Sequence, residues 1–207
     1  MKLSATKRLA ATRGWVWKEQ PRDERGRFSE TDGEAVGSDG LTDSQFDSLD
    51  DYKNERYEEV NQALRDGEVD GEIAEIVEDI DSAFESEAGT LTENKTLYRS
   101  ANLHPEDEEA LLEDPEFLVD LPLMEDPAYM STSANEERAK DHMTSGGTLI
   151  EIDAAAGDQA LAMDELIDDE FEEEEYLLPR GQRLVVDDVM YNDDGSIERV
   201  ITHTSSD

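Results

Sequence analysis

The sequence predicts an α+β domain in which N-terminal helices pack on a mostly antiparallel β core made of two sheets. Apolar residues recur at helix spacing from Thr42 to Phe84, and after Gly89 their period changes towards two. Helices first and strands afterwards are typical of the α+β class. We therefore divide the chain into residues 1–41, a basic flexible tail with its linker, and residues 42–207, the folded domain.

Two amphipathic helices are predicted at the start of the domain. Thr42 or Asp43 can supply the first N-cap, because short polar side chains accept hydrogen bonds from the unpaired N–H groups of a first turn. The first helix carries apolar side chains at Phe46, Leu49, Tyr57, Val60 and Leu64. The second helix carries them at Ile73, Ile76, Val77, Ile80 and Phe84. In each helix, this spacing predicts one apolar face that packs against the rest of the domain.

Short segments of alternating polarity predict the strands of the C-terminal part. The predicted strands are 96–101, 129–133, 148–153, 159–163, 176–179, 183–190 and 199–204. A proline begins the short helix predicted over 105–113, where its missing N–H is harmless. Ser133 and Glu136 have the spacing of a capping box for a further helix. Residues 192–195 (Asn-Asp-Asp-Gly) predict a hairpin turn between the last two strands.

The composition excludes several kinds of site. The 207 residues include no Cys, which excludes disulfides, thiolate zinc sites and Cys nucleophiles. The three His are far apart in the sequence, and we predict no metal site. No run of about 18 apolar residues is present, so no membrane span is predicted. The first residues lack the apolar segment of a cleaved signal peptide, so secretion by that route is not expected.

The chain is strongly acidic, with 56 Asp and Glu, 18 Lys and Arg, and a net charge of -38. This charge opposes binding to nucleic acid or anionic membranes over most of the surface. The composition resembles that of proteins adapted to a salt-rich cytoplasm, as in haloarchaea. The alternative is an ordinary acidic protein with a disordered acidic tail. We prefer salt adaptation, because the acidic residues lie on segments with clear periodicity.

Residues 1–28 form a basic tip that differs from the rest of the chain. They hold eight Lys or Arg, three acidic residues, and both Trp15 and Trp17. Lacking a sustained period, the tip is predicted to be a flexible tail in isolation or a segment that folds onto a partner. Residues 19–28 resemble a short sequence motif that recurs in tailed-virus head-associated proteins. The resemblance implies virion head or portal components as partners. Nucleic acid is not expected as a partner, except through this tip.

Three short polar motifs, taken together, indicate a catalytic site. They are Leu97-Tyr98-Arg99 on a strand, Ser131-Thr132-Ser133 at a strand end, and Glu173-x-Glu175 just before Tyr-Leu-Leu-Pro. In this order they resemble the Arg/Ser-Thr-Ser/Glu-x-Glu signature of the mono-ADP-ribosyltransferases. Residues 51–65 and 149–157 are similar to further segments of that family. The resemblance covers residues 43–203 and is strongest to exoenzymes related to insecticidal and binary clostridial toxins.

The resemblance implies a reaction and a role for each motif residue. NAD is the implied substrate, an arginine side chain of a host target protein is the implied acceptor, and no metal is needed. Glu175 would stabilise the oxocarbenium-like transition state and bind the ribose hydroxyl. Glu173 would orient or deprotonate the nucleophile. Arg99 would bind the pyrophosphate through its forked guanidinium.

The resemblance also assigns supporting roles. Ser131 would position the carboxylate of Glu175 by a hydrogen bond, and Thr132 and Ser133 would keep the shape of the pocket. Arg65 is a second candidate for phosphate contact. Phe171 is expected to be the aromatic residue of a substrate-recognition loop.

Other interpretations fit parts of the same pattern. The acidic run that contains Glu173 and Glu175 can be a solvated face, Arg99 can be a surface ion-pair partner, and a Ser-Thr-Ser segment can be a helix cap. For the whole chain, the alternatives are a non-catalytic virion structural or accessory protein on the same fold and an NAD glycohydrolase. The expected location is the virion, the host cytoplasm, or both.

Overall fold

The computed structural model describes four segments of the chain. They are residues 40–113, 122–144, 147–167 and 174–205. The basic tip, Phe171 and Glu173 lie outside the described residues, so the predictions made for them stay predictions.

The N-terminal helical layer begins at the predicted cap. The Thr42 hydroxyl accepts the N–H of Gln45, and the Gln45 side chain accepts the N–H of Thr42. This reciprocal capping box satisfies two N–H groups that the first turn would leave unpaired. The layer consists of α1 (Asp43–Asp51), a π-helical segment (Tyr52–Arg56), α2 (Tyr57–Asp66) and α3 (Gly71–Phe84).

The π-helical segment changes which aromatic residue faces the core. The sequence predicts Tyr57 on the apolar face, but Tyr57 is 52% exposed and Tyr52 is 3% exposed. A π-helical turn contains an extra residue and therefore rotates the residues that follow it. Arg56, at the junction with α2, leaves helical geometry with φ -126° and ψ 9°. The prediction that Tyr57 belongs to the buried apolar face is thus wrong, because one turn of the helix is π-helical rather than α-helical.

Six of the seven predicted strands are present to within a few residues. The seventh, 159–163, is a two-residue strand that runs into a short helix, and neither this helix nor the strand Pro122–Glu125 was predicted. The strands are β1 (Lys95–Ala101), β2 (Pro122–Glu125), β3 (Met130–Ser133), β4 (Thr148–Ala154), β5 (Leu161–Ala162), β6 (Glu175–Leu178), β7 (Arg183–Tyr191) and β8 (Ile197–Ser205). The helices among them are α4 (Pro105–Glu113), α5 (Glu136–Asp141) and α6 (Met163–Leu166). The hairpin turn before β8 is confirmed, with Gly195 at φ 84°.

The capping box predicted for α5 is wrong. Asn135 is the N-cap, and its side chain accepts the N–H of Glu137. Ser133 instead accepts the N–H of Asn135, two residues on. The reason is that Ser133 still belongs to strand β3, where its backbone pairs with Glu175. The helix therefore begins two residues later than the sequence pattern indicates.

The eight strands of the described residues follow the order β2-β7-β8-β4-β1-β3-β6-β5. Pairing is antiparallel except between β4 and β8, which are parallel. All eight strands belong to one sheet, whose first five and last three strands are joined where Tyr98 of β1 pairs with Ser133 of β3. We call the part with five strands the larger sheet and the part with three strands the smaller sheet. The α+β class and the mostly antiparallel pairing are thus confirmed, whereas the two predicted sheets are joined into one through β1 and β3.

Two apolar clusters lie on opposite faces of the smaller sheet. On one face, Tyr129 and Leu177 pack with the buried side chains of α1, α2 and α3. On the other face, Met130 and Leu178 pack with those of β1, β4, β7 and β8. Alternate residues of a strand point to opposite faces, so one short strand contributes to both clusters. The smaller sheet is therefore the middle layer, held between the helices and the larger sheet.

Candidate active site

The centre of the candidate site is the Glu175 carboxylate at the start of β6. The residue is 9% exposed. The Ser131 hydroxyl donates to its Oε1 over 2.6 Å, and the ammonium of Lys53 donates to its Oε2 over 2.7 Å. A buried carboxylate needs such partners, since removing a charge from water is costly. Both oxygens of Glu175 are thus held by side chains from other elements.

The register of β3 and β6 brings Ser131 to Glu175. Ser133 pairs directly with Glu175, and Ser131 pairs with Leu177 two residues along. Residues opposite each other in an antiparallel pair point to the same face, as do residues two apart. Ser131 and Glu175 are therefore diagonal neighbours on the face towards the helices. A slip of one residue would move both side chains to the opposite face.

Arg99 reaches the same place from β1. Its Nη1 donates to the backbone carbonyl of Ser131 over 2.7 Å. Burial lowers the pKa of Arg99 from its ordinary value, while the charge of Asp126 acts in the opposite direction. Its Nε is buried, and no acceptor among the described residues hydrogen-bonds to it. The guanidinium is therefore not fully paired within the described residues.

Arg65 lies in the same electrostatic environment as Arg99. Its guanidinium makes a forked contact to Asp126, with Nε to Oδ1 at 3.1 Å and Nη2 to Oδ2 at 2.8 Å. Burial acts to raise the pKa of Asp126, but the hydrogen bonds from Arg65 and from the N–H of Ala128 outweigh it, and the pKa lies below its usual value. Two guanidinium groups thus share one carboxylate, which leaves a net positive charge suited to a phosphate group.

The other two residues of the Ser-Thr-Ser motif are buried. Thr132 is 4% exposed, and its hydroxyl donates to the carbonyl of Tyr176 over 2.7 Å. Ser133 is 8% exposed and accepts the N–H of Asn135. Both side chains bond to backbone, which ties β3 to β6 and to the start of α5. Their contacts are those of residues that fix the shape of the site.

Two residues at the centre of the site were not predicted from the sequence. The ammonium of Lys53, from the π-helical segment, lies 3.2 Å from Oδ1 of Asp164 as well as 2.7 Å from Glu175. A signal for Lys53 exists in hindsight: it lies four residues after buried Leu49, and residues four apart share a helix face. Asp164, on α6, has no comparable local signal, because the helix that carries it has only four residues.

The structure therefore brings together one residue from each of the three motifs. Arg99, Ser131 and Glu175 form one connected set of hydrogen bonds, and Arg65 lies near Arg99 through Asp126. Within the described segments, no group of three or more His, Cys, Asp or Glu side chains has the arrangement of a metal site. The helices of the same segments include none long and apolar enough to cross a bilayer.

The comparisons with known proteins point to one family. The family model described as ADP-ribosyltransferase exoenzyme matches residues 16–206. No curated protein sequence matches the chain.

Solved structures show similarity at the level of the fold. C3stau2 from S. aureus, solved with NAD, is 19% identical with a TM-score of 0.64, over 82% of this chain and 90% of that one. Plx2a, an ADP-ribosyltransferase toxin from Paenibacillus larvae, is 20% identical with a TM-score of 0.62, over 80% and 88%. Exoenzyme S from Pseudomonas aeruginosa, bound to Carba-NAD, is 18% identical with a TM-score of 0.63, over 80% and 76%.

Proposed function

The chain belongs to the ADP-ribosyltransferase exoenzyme family, and from this premise we propose that it transfers ADP-ribose from NAD to an arginine side chain of a target protein, with release of nicotinamide. The observation that carries the proposal is the contact between Ser131 and Glu175. It places an oriented carboxylate on the helix-facing side of β6, within the set of hydrogen bonds that includes Arg99.

The proposed chemistry is the transfer of a glycosyl group. The bond between C1′ of the ribose and the nicotinamide nitrogen breaks, and nicotinamide leaves as a neutral molecule with the bonding electron pair. Positive charge then develops on the ribose, and the carboxylate of Glu175 stabilises it. A nitrogen of the acceptor guanidine forms the new bond to C1′ and loses a proton.

Arg99 and Arg65 support the binding of the donor. A dinucleotide carries two negative charges on its pyrophosphate, and a guanidinium offers paired N–H donors that match phosphate oxygens. Arg99 supplies a half-buried guanidinium, and Arg65 adds a second one whose side chain is 41% exposed. Both positive charges are unusual in a chain this acidic, which favours a specific anionic ligand for them.

The choice of arginine as acceptor depends on Glu173, which lies outside the described residues. In the family pattern, a Glu two positions before the catalytic Glu accompanies arginine as the acceptor. Glu173 would remove the proton from the attacking guanidine. Phe171 would be the aromatic residue that recognises the target protein, as the family pattern implies.

The partners and the setting of the reaction are part of the proposal. We propose a host protein as target, and virion head or portal components as the partners of residues 1–28, so that the enzyme acts in the virion or the host cytoplasm. The acidic composition supports a salt-rich cytoplasm as the working medium.

The test is incubation of the protein with labelled NAD and a cell lysate in molar KCl. The wild type should label protein, and mass spectrometry should locate the label on arginine. Glu175→Gln should lower transfer at least about 100-fold, because it removes the charge that stabilises the transition state. Glu198→Gln is the matched control, since Glu198 is exposed on β8 and should not affect transfer.

Each alternative function gives a different result. Free ADP-ribose without labelled protein would identify an NAD glycohydrolase. Neither product would identify a non-catalytic protein on this fold. If the wild type labels protein, Glu173→Gln should lose that label and keep some NAD hydrolysis. A Glu175→Gln variant with full transfer would show that the site has been assigned to the wrong carboxylate.

A further inference from the structure

Lys53 makes the most unusual contact at the site. Its ammonium lies between two carboxylates, 2.7 Å from Oε2 of Glu175 and 3.2 Å from Oδ1 of Asp164. The lysine side chain is 7% exposed and that of Glu175 is 11% exposed. Lysine is rarely buried to this degree unless it is paired. The contact therefore differs from the exposed ion pairs elsewhere on the surface.

The helical layer forces Lys53 into this position. Leu49 is fully buried and lies four residues before Lys53, and the nearly buried Tyr52 immediately precedes it. The hydroxyl of Tyr52 accepts a hydrogen bond from Asn61 on α2, which fixes the π-helical segment against the next helix. A π-helical turn inside a longer helix is often found at functional sites. The lysine stem is thus anchored by the core, and its ammonium is directed at the carboxylates.

Asp164 connects Lys53 to the backbone next to Glu175. While Oδ1 accepts from Lys53, Oδ2 accepts the N–H of Glu174 over 2.6 Å. Glu174 has φ 51°, a conformation that residues other than glycine adopt at some cost. Asp164 therefore compensates a strained residue immediately before the catalytic strand. The backbone and the side chain of the Glu175 region are linked through the same pair of residues.

We propose that Lys53 is a positioning residue for Glu175, and that Asp164 holds Lys53 in place. Ser131 fixes one carboxylate oxygen and Lys53 the other, so the plane of the carboxylate cannot rotate. Each carboxylate oxygen has two lone pairs, and Oε2 can still accept the ribose hydroxyl. The inference rests on the proposed ADP-ribosyl transfer, because it assigns to Lys53 an effect on that reaction.

The test separates the effect on catalysis from the effect on binding. Lys53→Met keeps the length of the side chain and removes the charge. It should lower kcat about 10- to 100-fold, because a small displacement of a catalytic group costs about that much. The KM for NAD should change less than about threefold, because Lys53 contacts Glu175 rather than the phosphate site. Lys53→Arg should recover part of the lost kcat, which a merely structural role would not predict.

Further variants keep the test decisive. Lys140→Met is the matched control, since Lys140 is 50% exposed at the side chain and pairs with Glu136 on α5. If Lys53→Met does not fold in molar KCl, Asp164→Asn must show the lowered kcat with an unchanged KM. When both variants fold, the double variant should lose less than the product of the two single losses, because both act on the same carboxylate.

The inference and the proposed function can fail separately. A wild type that turns over NAD, together with a Lys53→Met variant of wild-type or higher kcat, overturns the role of Lys53 alone. A fall in kcat that Lys53→Arg does not recover at all also overturns it. A wild type without any turnover overturns both.

Discussion

At the scale of single residues, Arg99 is half-buried and incompletely hydrogen-bonded. Burial lowers its pKa, yet the guanidinium stays charged, because the ordinary pKa of arginine lies far above neutral pH. One nitrogen is used by the carbonyl of Ser131 and another has no acceptor among the described residues. Leaving a buried donor unpaired costs about 1–3 kcal/mol. A bound pyrophosphate would offset that cost through its charge beside the guanidinium, which is the physical reason to assign Arg99 to ligand binding.

Arg99→Lys tests this assignment. Lysine keeps the positive charge but lacks the paired N–H donors of a guanidinium. The KM for NAD should therefore rise about 10-fold or more, while kcat stays within about threefold. Steady-state NAD turnover in molar KCl measures both constants. Arg138→Lys is the control, because Arg138 is exposed on α5. An unchanged KM with a large loss of kcat would instead assign Arg99 to the chemical step.

The residues that the sequence revealed and those that it did not differ in how their signals arise. Arg99, Ser131 and Glu175 lie in short motifs whose order along the chain is itself informative. Lys53 meets Asp164 and Glu175 across 111 and 122 residues of sequence. No local pattern reports such a contact, because it exists once the helical layer has docked on the smaller sheet.

At the scale of elements, Tyr129 joins three parts of the fold. It lies just before β3 and is 1% exposed. Its ring packs edge-on against Tyr52 at 5.6 Å between centroids and stacks with Phe84 at 6.0 Å. Its hydroxyl lies 2.8 Å from Oδ1 of Asp81 on α3, and Arg180 after β6 contacts the same carboxylate. The helices are thereby fixed relative to the smaller sheet that carries Ser131 and Glu175.

Tyr129→Phe should lower the free energy of unfolding by about 1–2 kcal/mol. The ring remains, but the hydrogen bond to a charged carboxylate is lost. Asp81 keeps its contact with Arg180, which limits the cost. Chemical denaturation in molar KCl measures the difference, and Tyr57→Phe is the matched control, because that residue is 52% exposed. Equal stability of the two variants would show that the Tyr129 hydroxyl does not hold the layers together.

Elements were predictable where one local period runs through the whole segment. Examples are the helix-spaced apolar residues of α3 and the alternating polarity of β4 and β7. The predicted bounds of these elements agree with the structure to within a few residues. The π-helical segment was not predictable, because its extra residue breaks the period without a proline or glycine to mark it. The parallel pairing of β4 with β8 was also not predictable, since neither strand's own pattern specifies its neighbour.

At the scale of the whole molecule, the basic residues are too few to balance the acidic ones. Residues 29–207 hold ten Lys or Arg and 53 Asp or Glu. Among the described residues, at least seven of these ten cations are already in ion pairs with carboxylates. Most acidic side chains therefore repel one another through solvent. Such repulsion destabilises the compact state and is screened by salt.

This imbalance predicts a protein whose fold depends on salt. Circular dichroism should show loss of structure in dilute buffer and its recovery in molar KCl, where the screening length falls to about 3 Å. Sucrose in dilute buffer is the control, because it favours the compact state by exclusion without screening charge, and it should recover less structure than KCl. An identical spectrum and unfolding temperature in dilute buffer and in molar KCl would contradict the prediction. In that case local pairing, as between Lys53 and Glu175, would have to suffice for stability despite the net charge of -38.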